Sequence, residues 1–255
     1  AGQAVGTALI MDFSKYMDRM EGVDPEARRV RTQPGISVAA LNRQVARHGL
    51  MLGPDPASGD RATIGGSVGN NATGSHSILY GMMADNVHEI RAILADGSRA
   101  VFGPEPVENL NALGRREGLE GHIYRELPNL IQKNRQQIIV RWPKHWRRAS
   151  GYNLDRLAAA LLPPEERGKL SASSPFRPAI ADPTRIDRFN IAQLLTGSEG
   201  TLAVTTELTL NLVPRPTRTG LAVIPFATLL DSCAAITDVL ETEPSAAELL
   251  DKQLM

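Results

Sequence analysis

Residues 63–74 read Thr-Ile-Gly-Gly-Ser-Val-Gly-Asn-Asn-Ala-Thr-Gly, residue types suited to holding a phosphate-bearing ligand. Four glycines fall within these twelve residues, just after the turn Gly53-Pro54-Asp55-Pro56. Glycine serves where the backbone takes φ > 0 or where a ligand must approach it closely. Successive N–H groups in such a loop form a concavity suited to phosphate oxygens. Asn70, Asn71 and Thr73 add side-chain hydrogen bonding toward a ribose or pyrophosphate. The same composition also fits a glycine-rich surface loop that binds nothing. The spacing is neither GxGxxG nor GxxxxGK(S/T), so it matches neither the dinucleotide fingerprint nor the P-loop.

A second polar turn, Gly197-Ser198-Glu199-Gly200-Thr201-Leu202, leads into Val204–Val213. There Leu208, Leu210 and Leu212 alternate with Glu207, Thr209 and Asn211, the period-two pattern of a strand with one buried face. Thr205, Thr206 and Thr209 add β-branched character. Alone, a strand entered through a Gly-x-x-Gly turn says little about function.

Taken together, these segments resemble the flavin-binding domain of the vanillyl-alcohol oxidase / p-cresol methylhydroxylase (PCMH) superfamily of FAD-linked oxidases. The similar branch contains glycolate oxidase flavoprotein subunits, D-lactate dehydrogenases and D-2-hydroxyglutarate dehydrogenases. The matching residues are Thr63-Ile64-Gly65-Gly66, Asn71-Ala72, Gly74, Tyr80-Gly81, Val87, Leu94-Ala95-Asp96-Gly97-Ser98, Gly151-Tyr152-Asn153-Leu154 and the Gly197–Leu202 turn. Their order and spacing hold from about residue 1 to residue 216. The resemblance implies an α+β fold: a PCMH-type FAD-binding domain over 1–216, then the first elements of an α+β substrate (cap) domain over 217–255. Ala1–Gly6 resembles the tail of the family's phosphate loop, so the resemblance also implies a domain truncated at its N-terminus that binds FAD poorly as supplied.

The resemblance assigns roles residue by residue. Gly65, Gly66, Ser67, Asn70 and Asn71 bind the pyrophosphate and adjoining sugar, and Asp60 and Thr63 sit toward the flavin. Gly74, Gly81 and Val87 complete that half of the cofactor site. Glu199, Gly200 and Val204 line the ribityl and flavin side. The family pattern has Asn at position 67 and Gly at 73, whereas here they are Ser67 and Thr73. The implied reaction is oxidation of a D-2-hydroxyacid of lactate, glycolate or 2-hydroxyglutarate type, by hydride transfer to non-covalent FAD. An iron–sulfur domain or a quinone is the implied electron acceptor. No catalytic residue is expected in this stretch, since the base and the metal ligands of the branch lie on the cap. The alternatives are an FAD-linked oxidase of another substrate class and a non-catalytic nucleotide-binding module.

Composition narrows the partners. The 255 residues carry 28 basic and 28 acidic side chains, which gives no electrostatic case for nucleic acid. No apolar run reaches the roughly 18–20 residues that span a bilayer, so a cytoplasmic setting is expected, with membrane-peripheral attachment only through an electron-transfer partner. The single cysteine, Cys233, rules out an internal disulfide and is expected to pack as a small hydrophobe. The histidines at 48, 76, 88, 122 and 145 are scattered without ligand spacing, so no metal site is expected. A homodimer through an uncovered apolar face is a further expectation.

The positioning elements are also legible. Strands are expected at Ala8–Asp12 and Arg28–Gln33, then a helix from Ser37 to His48 with Ser37 as N-cap and Gly49 as terminator. Val87–Ala95 and Ser98–Phe102 form a hairpin around a two-residue Asp96-Gly97 turn. Residues 103–137 read as mostly helical, and Pro163–Pro183 as a mobile excursion. The Trp142–Arg148 cluster is basic and aromatic. The resemblance places this region near the flavin and substrate cavity, where Arg147 or Arg148 would draw a substrate carboxylate; the alternative is surface arginine stacked on tryptophan. Past Pro214-Arg215-Pro216, a strand is expected at Leu221–Phe226 and a helix at Thr228–Thr242.

Overall fold

The structure, a computed structural model, describes residues 7, 10–149, 151–170 and 177–251. Its centre is a five-stranded antiparallel sheet. The strands are β1 (Met20–Asp24), β2 (Arg29–Thr32), β3 (Val87–Ile93), β4 (Arg99–Phe102) and β5 (Val204–Asn211), in spatial order β1-β2-β5-β3-β4. The alternating leucines fix the register of β5. Leu210 pairs with Val30 of β2, and Leu208 with Ile90 of β3, which in turn pairs with Phe102 of β4. All five are buried, so one sheet face builds the core and a one-residue slip would expose the whole row. The other face is wet and charged: Glu207 sits between Arg91, 3.1 Å away, and Arg31, 3.6 Å away. Glu207 is therefore a cross-strand partner rather than a solvated residue.

Helix α1 (Val38–Val45) starts where the sequence places it, with the Ser37 hydroxyl accepting from the Ala40 N–H at 3.2 Å. Val38, Leu41 and Val45 bury its apolar stripe, and Gly49 ends the turn at φ 69°. The β3–β4 hairpin also forms, but Leu94 and Ser98 pair across it and Gly97 takes φ 82°, which gives a three-residue loop in place of the expected two. The Asp96 carboxylate accepts from the Ser98 N–H at 2.9 Å and holds the turn.

Short helix α2 (Ile64–Gly69) and α3 (Met83–Asn86) precede the hairpin. After it come α4 (Gly118–Lys133), α5 (Arg135–Arg141), α6 (Leu154–Leu161) and α7 (Ala192–Leu195), which cover the apolar sheet face. Two later helices, α8 (Leu229–Ala234) and α9 (Ile236–Glu241), stand where one was expected.

Three further expectations fail. The first strand is β1, not Ala8–Asp12: Ile10–Asp12 belong to no strand, and residues 8 and 9 lie outside the described residues. Leu221–Phe226 is not a strand: no described strand pairs with it, and Leu221 is 91% exposed. Cys233 is exposed on α8 rather than packed. The Pro163–Pro183 excursion holds short helical turns at 164–170, 179–181 and 183–185, and its residues 171–176 lie outside the described residues.

Candidate functional site

The glycine run folds as helix α2 followed by a tight turn. Ile64 and Val68 are buried and pull this short helix into the core. Thr63 caps it, its hydroxyl accepting from the Gly66 N–H at 3.2 Å. Of the two central glycines, Gly65 occupies a tightly packed position. The Gly65 N–H donates to the Pro34 carbonyl at 2.7 Å, and a Cβ on Gly65 would lie 2.6 Å from the Pro34 Cβ. The Ser67 N–H donates to the Thr63 carbonyl at 2.8 Å. The expected row of free N–H groups for pyrophosphate is therefore already spent. Of these donors only Gly66 holds an exchangeable side-chain partner.

The Ser67 hydroxyl differs. It is buried and has no hydrogen-bond partner, the situation of a group that awaits an acceptor or donor. Asn70 donates its N–H to Gly66 at the helix end. Asn71 adopts φ 49°, and its side chain is committed within the protein: Nδ2 donates to the Arg148 carbonyl at 3.2 Å, and Oδ1 accepts from the Ala84 N–H at 2.9 Å. Both polar ends of the Asn71 side chain thus have protein partners. Gly74 lies flush against the Asp55 backbone, and its N–H donates to the Ser77 hydroxyl at 2.9 Å. Gly81 takes φ 72° with the Asp85 carboxylate in the place a Cβ would fill. Both glycines are close-approach positions. Val87 is buried at the start of β3, a core residue.

Three motifs far apart in sequence meet at the end of α2. The Gly197 N–H donates to the Val68 carbonyl at 2.9 Å, and the Glu199 N–H to the Gly69 carbonyl at 3.1 Å. Asn153 holds the approach to that turn, its Nδ2 donating to the carbonyls of Thr196 at 2.8 Å and Gln193 at 3.2 Å. The Tyr152 and Thr201 hydroxyls lie 3.0 Å apart. Glu199 takes φ 52° and Gly200 φ 77°, so the turn projects outward, and a Cβ on Gly200 would meet nothing within 4 Å. The junction thus offers open backbone at Gly200 beside the partnerless Ser67 helix. Val204 stands at the entrance of β5, opposite Ile93. Asp60 is apart from this junction, exposed at a 450 Å³ cleft that α1 forms with residues 51–60, His76 and Arg215.

The basic cluster leans on the same segment. Arg147 Nη2 lies 3.3 Å from the Gly74 carbonyl and 3.5 Å from the Thr73 hydroxyl. The Arg148 guanidinium lies 5.6 Å from the Trp142 ring centroid, and its carboxylate partner is internal, Asp155. Beside that pair, Arg156 Nη2 lies 2.6 Å from Asp85 Oδ1. Burial pulls the Arg156 pKa down, but Asp85 and Asp155 outweigh it and hold the group above its ordinary value, so it stays charged. Sequence reading passed over Asp85, Asp155 and Arg156. The available signal was an Asp-Arg pair inside the apolar run Leu154–Leu161.

No cluster of three metal-ligating side chains occurs among the described residues. A second cleft, of 550 Å³ and almost wholly apolar, runs between α4, the β3–β4 end of the sheet and α7, and reaches Leu202. It contains none of the expected site residues.

Residues 1–103 match a family model described as an FAD binding domain. That match and the mixed helix-and-sheet architecture agree with the α+β, FAD-binding class read from the sequence. The chain is 28% identical over 254 residues to the D-2-hydroxyglutarate dehydrogenase of Escherichia coli (strain K12), matching 100% of this chain and 23% of that protein. It is 25% identical over 253 residues to the mitochondrial D-lactate dehydrogenase [cytochrome] of Kluyveromyces lactis, covering 98% of this chain and 30% of that one. Among solved structures it is similar to an alkyldihydroxyacetonephosphate synthase, with a TM-score of 0.51 at 17% identity, over 92% of this chain and 29% of that one. That structural likeness bears on the fold alone. The chain spans about a quarter to a third of the length of these relatives. Relatives of this chain are thus dehydrogenases of D-2-hydroxyacids.

Proposed function

We propose that this chain holds FAD in an oxidoreductase that oxidises a D-2-hydroxyacid, hydride leaving the substrate's α-carbon for the flavin. The observation that carries the reading is the junction of α2 with the Gly197–Thr201 turn. Two main-chain hydrogen bonds tie it, Gly200 leaves it open, and Ser67 sets a buried unpaired hydroxyl in its helix. Those features fit a polar cofactor edge: an orphaned hydroxyl to bond, and bare backbone for close approach.

Bound FAD supplies the hydride acceptor, and the protein supplies binding and orientation. Ser67 and the exchangeable Gly66 N–H hydrogen-bond the cofactor, while Glu199 and Gly200 border its flavin side. Asn71 and Asn153 keep the two walls in register. Arg147, which adds a positive charge beside Thr73 and Gly74, favours the anionic parts of cofactor or substrate.

Residues 217–251 are proposed as the start of the cap domain. Their apolar side chains, with Leu221 at 91% and Val223 at 77% exposure, require a covering that the remainder of a cap or a second copy would give. Flavin reoxidation needs an acceptor. An iron–sulfur domain or quinone is proposed, on the resemblance of Gly53-Pro54-Asp55-Pro56 and Ser150-Gly151-Tyr152 to large bacterial homologues that fuse this module to iron–sulfur domains. Among the described residues no helix is long and apolar enough to cross a membrane. A peripheral site through that acceptor is compatible with this.

The test is the visible spectrum of the purified full-length protein, followed by oxidation of D-2-hydroxyglutarate, D-lactate and glycolate with an artificial electron acceptor. Flavin absorbance with turnover of one of these supports the reading. Flavin with no hydroxyacid turnover leaves an FAD-linked enzyme of another substrate class, and absence of flavin binding overturns both.

A further inference from the structure

We infer that two buried ion pairs, Asp85–Arg156 and Arg148–Asp155, form a positioning lock that sets the Gly197–Thr201 turn against the end of α2. The lock is a statement about the protein alone; its consequence for the cofactor rests on the FAD reading above.

The connections form a closed ring. The Asp85 side chain is completely buried; Oδ2 accepts from the Met82 N–H at 2.7 Å and Oδ1 from Arg156 Nη2 at 2.6 Å. Gly81, lacking a Cβ, makes room for that carboxylate. Arg156 lies on α6, one turn beyond Asn153, whose amide grips the Gln193 and Thr196 carbonyls. The next residue, Gly197, donates its N–H to Val68 of α2. On the other side, Asp155 binds Arg148, whose carbonyl accepts from Asn71 and whose N–H meets Met82 Sδ at 3.3 Å. Thus α6 carries adjacent charges of opposite sign: Arg156 binds Asp85 directly, and Asp155 reaches Asn71 and Met82 through Arg148. Through Asn153 the same helix also places the turn.

Stability alone does not account for this arrangement. Arg148 Nε, Asp155 Oδ1 and Arg156 Nε are all buried without a hydrogen-bond partner. A buried ionic cluster left partly unsatisfied is no more stabilising than apolar side chains of the same volume. What it does give is one geometry, because charge pairing and the guanidinium fork accept few alternatives.

The experiment uses the full-length protein with the paired substitution Asp85→Asn/Arg156→Met. Asn keeps an acceptor for the Met82 N–H, and Met fills the volume without charge. The melting temperature should stay the same or rise. In the flavin-free protein, amide exchange at residues 197–201 should accelerate about tenfold or more, and the Kd for FAD should weaken about tenfold. Arg156→Lys, which retains the charge but not the fork, should fold normally and move both readouts part of the way. A folded paired variant whose exchange at 197–201 stays within about twofold of wild type overturns the lock. If the paired variant does not fold, wild-type exchange in Arg156→Lys overturns it. Faster exchange in a protein whose wild type binds no FAD upholds the lock and refutes the cofactor reading instead.

Discussion

Gly65→Ala separates a packing role for this glycine from a ligand-facing one. A Cβ built on Gly65 would sit 2.6 Å from the Pro34 Cβ and 3.1 Å from the Pro34 carbonyl oxygen. Pro34 cannot yield easily, because its ring fixes φ and its carbonyl already accepts from the Gly65 N–H at 2.7 Å. Overpacking of this kind costs about 1–3 kcal/mol. The gain from alanine over glycine within a helix offsets about 0.5–1 kcal/mol of that. The net loss, about 1–2 kcal/mol, corresponds to a melting temperature lower by roughly 2–8 °C for a domain of this size. Gly69→Ala is the control, since its Cβ would meet only the Glu199 Cα at an ordinary 3.7 Å, and its melting temperature should hold or rise. Differential scanning calorimetry with FAD titration reads both variants. An unchanged melting temperature in Gly65→Ala together with abolished FAD binding would refute the argument and return Gly65 to the ligand surface.

Ser67→Ala removes a buried hydroxyl that lacks a partner, so stability should hold or rise by up to about 1 kcal/mol. Its FAD Kd should weaken about three- to tenfold, and an unaltered Kd would take Ser67 out of the cofactor site. Asn71→Ala forfeits the hydrogen bonds to Arg148 and Ala84 and leaves a residue at φ 49°, so chemical denaturation should show a loss of about 2–4 kcal/mol. A loss under about 1 kcal/mol would contradict the organising role. Burial first, and Arg29 second, hold the His88 pKa below its ordinary value, against a weaker opposing pull from Glu89. The folded state therefore keeps His88 neutral while the unfolded chain protonates below about pH 6.5. Its contribution to stability is complete above that pH and is lost as pH falls through the depressed folded value. His88→Gln should flatten the acid limb of the stability profile, and an identical limb would show that another group sets it.

Much of this fold is legible because its signals are local. Ser37, the Val38-Leu41-Val45 stripe and Gly49 specify α1 without tertiary help, and the leucine alternation specifies β5 and its buried face. Leu221–Phe226 shows the opposite case. Its residues favour a strand, but a strand exists only beside another, and none among the described residues pairs with it. In the glycine run the residue types were readable but their purposes were not. The N–H of Gly65 is consumed by Pro34, a fact set by where α2 lands on residues 34–37, and that of Ser67 by Thr63 within the helix's own first turn. The charge lock was hidden for a similar reason. Asp85, Arg148, Asp155 and Arg156 look like surface charges until the fold brings segments about seventy residues apart into contact.

Hydrogen–deuterium exchange of the purified protein with and without FAD tests the central claim most directly. The account predicts that FAD slows exchange at residues 66–70 and 197–201 together, with little change along the wet face of β2 and β5. FAD binding that leaves both of those segments unprotected would contradict it.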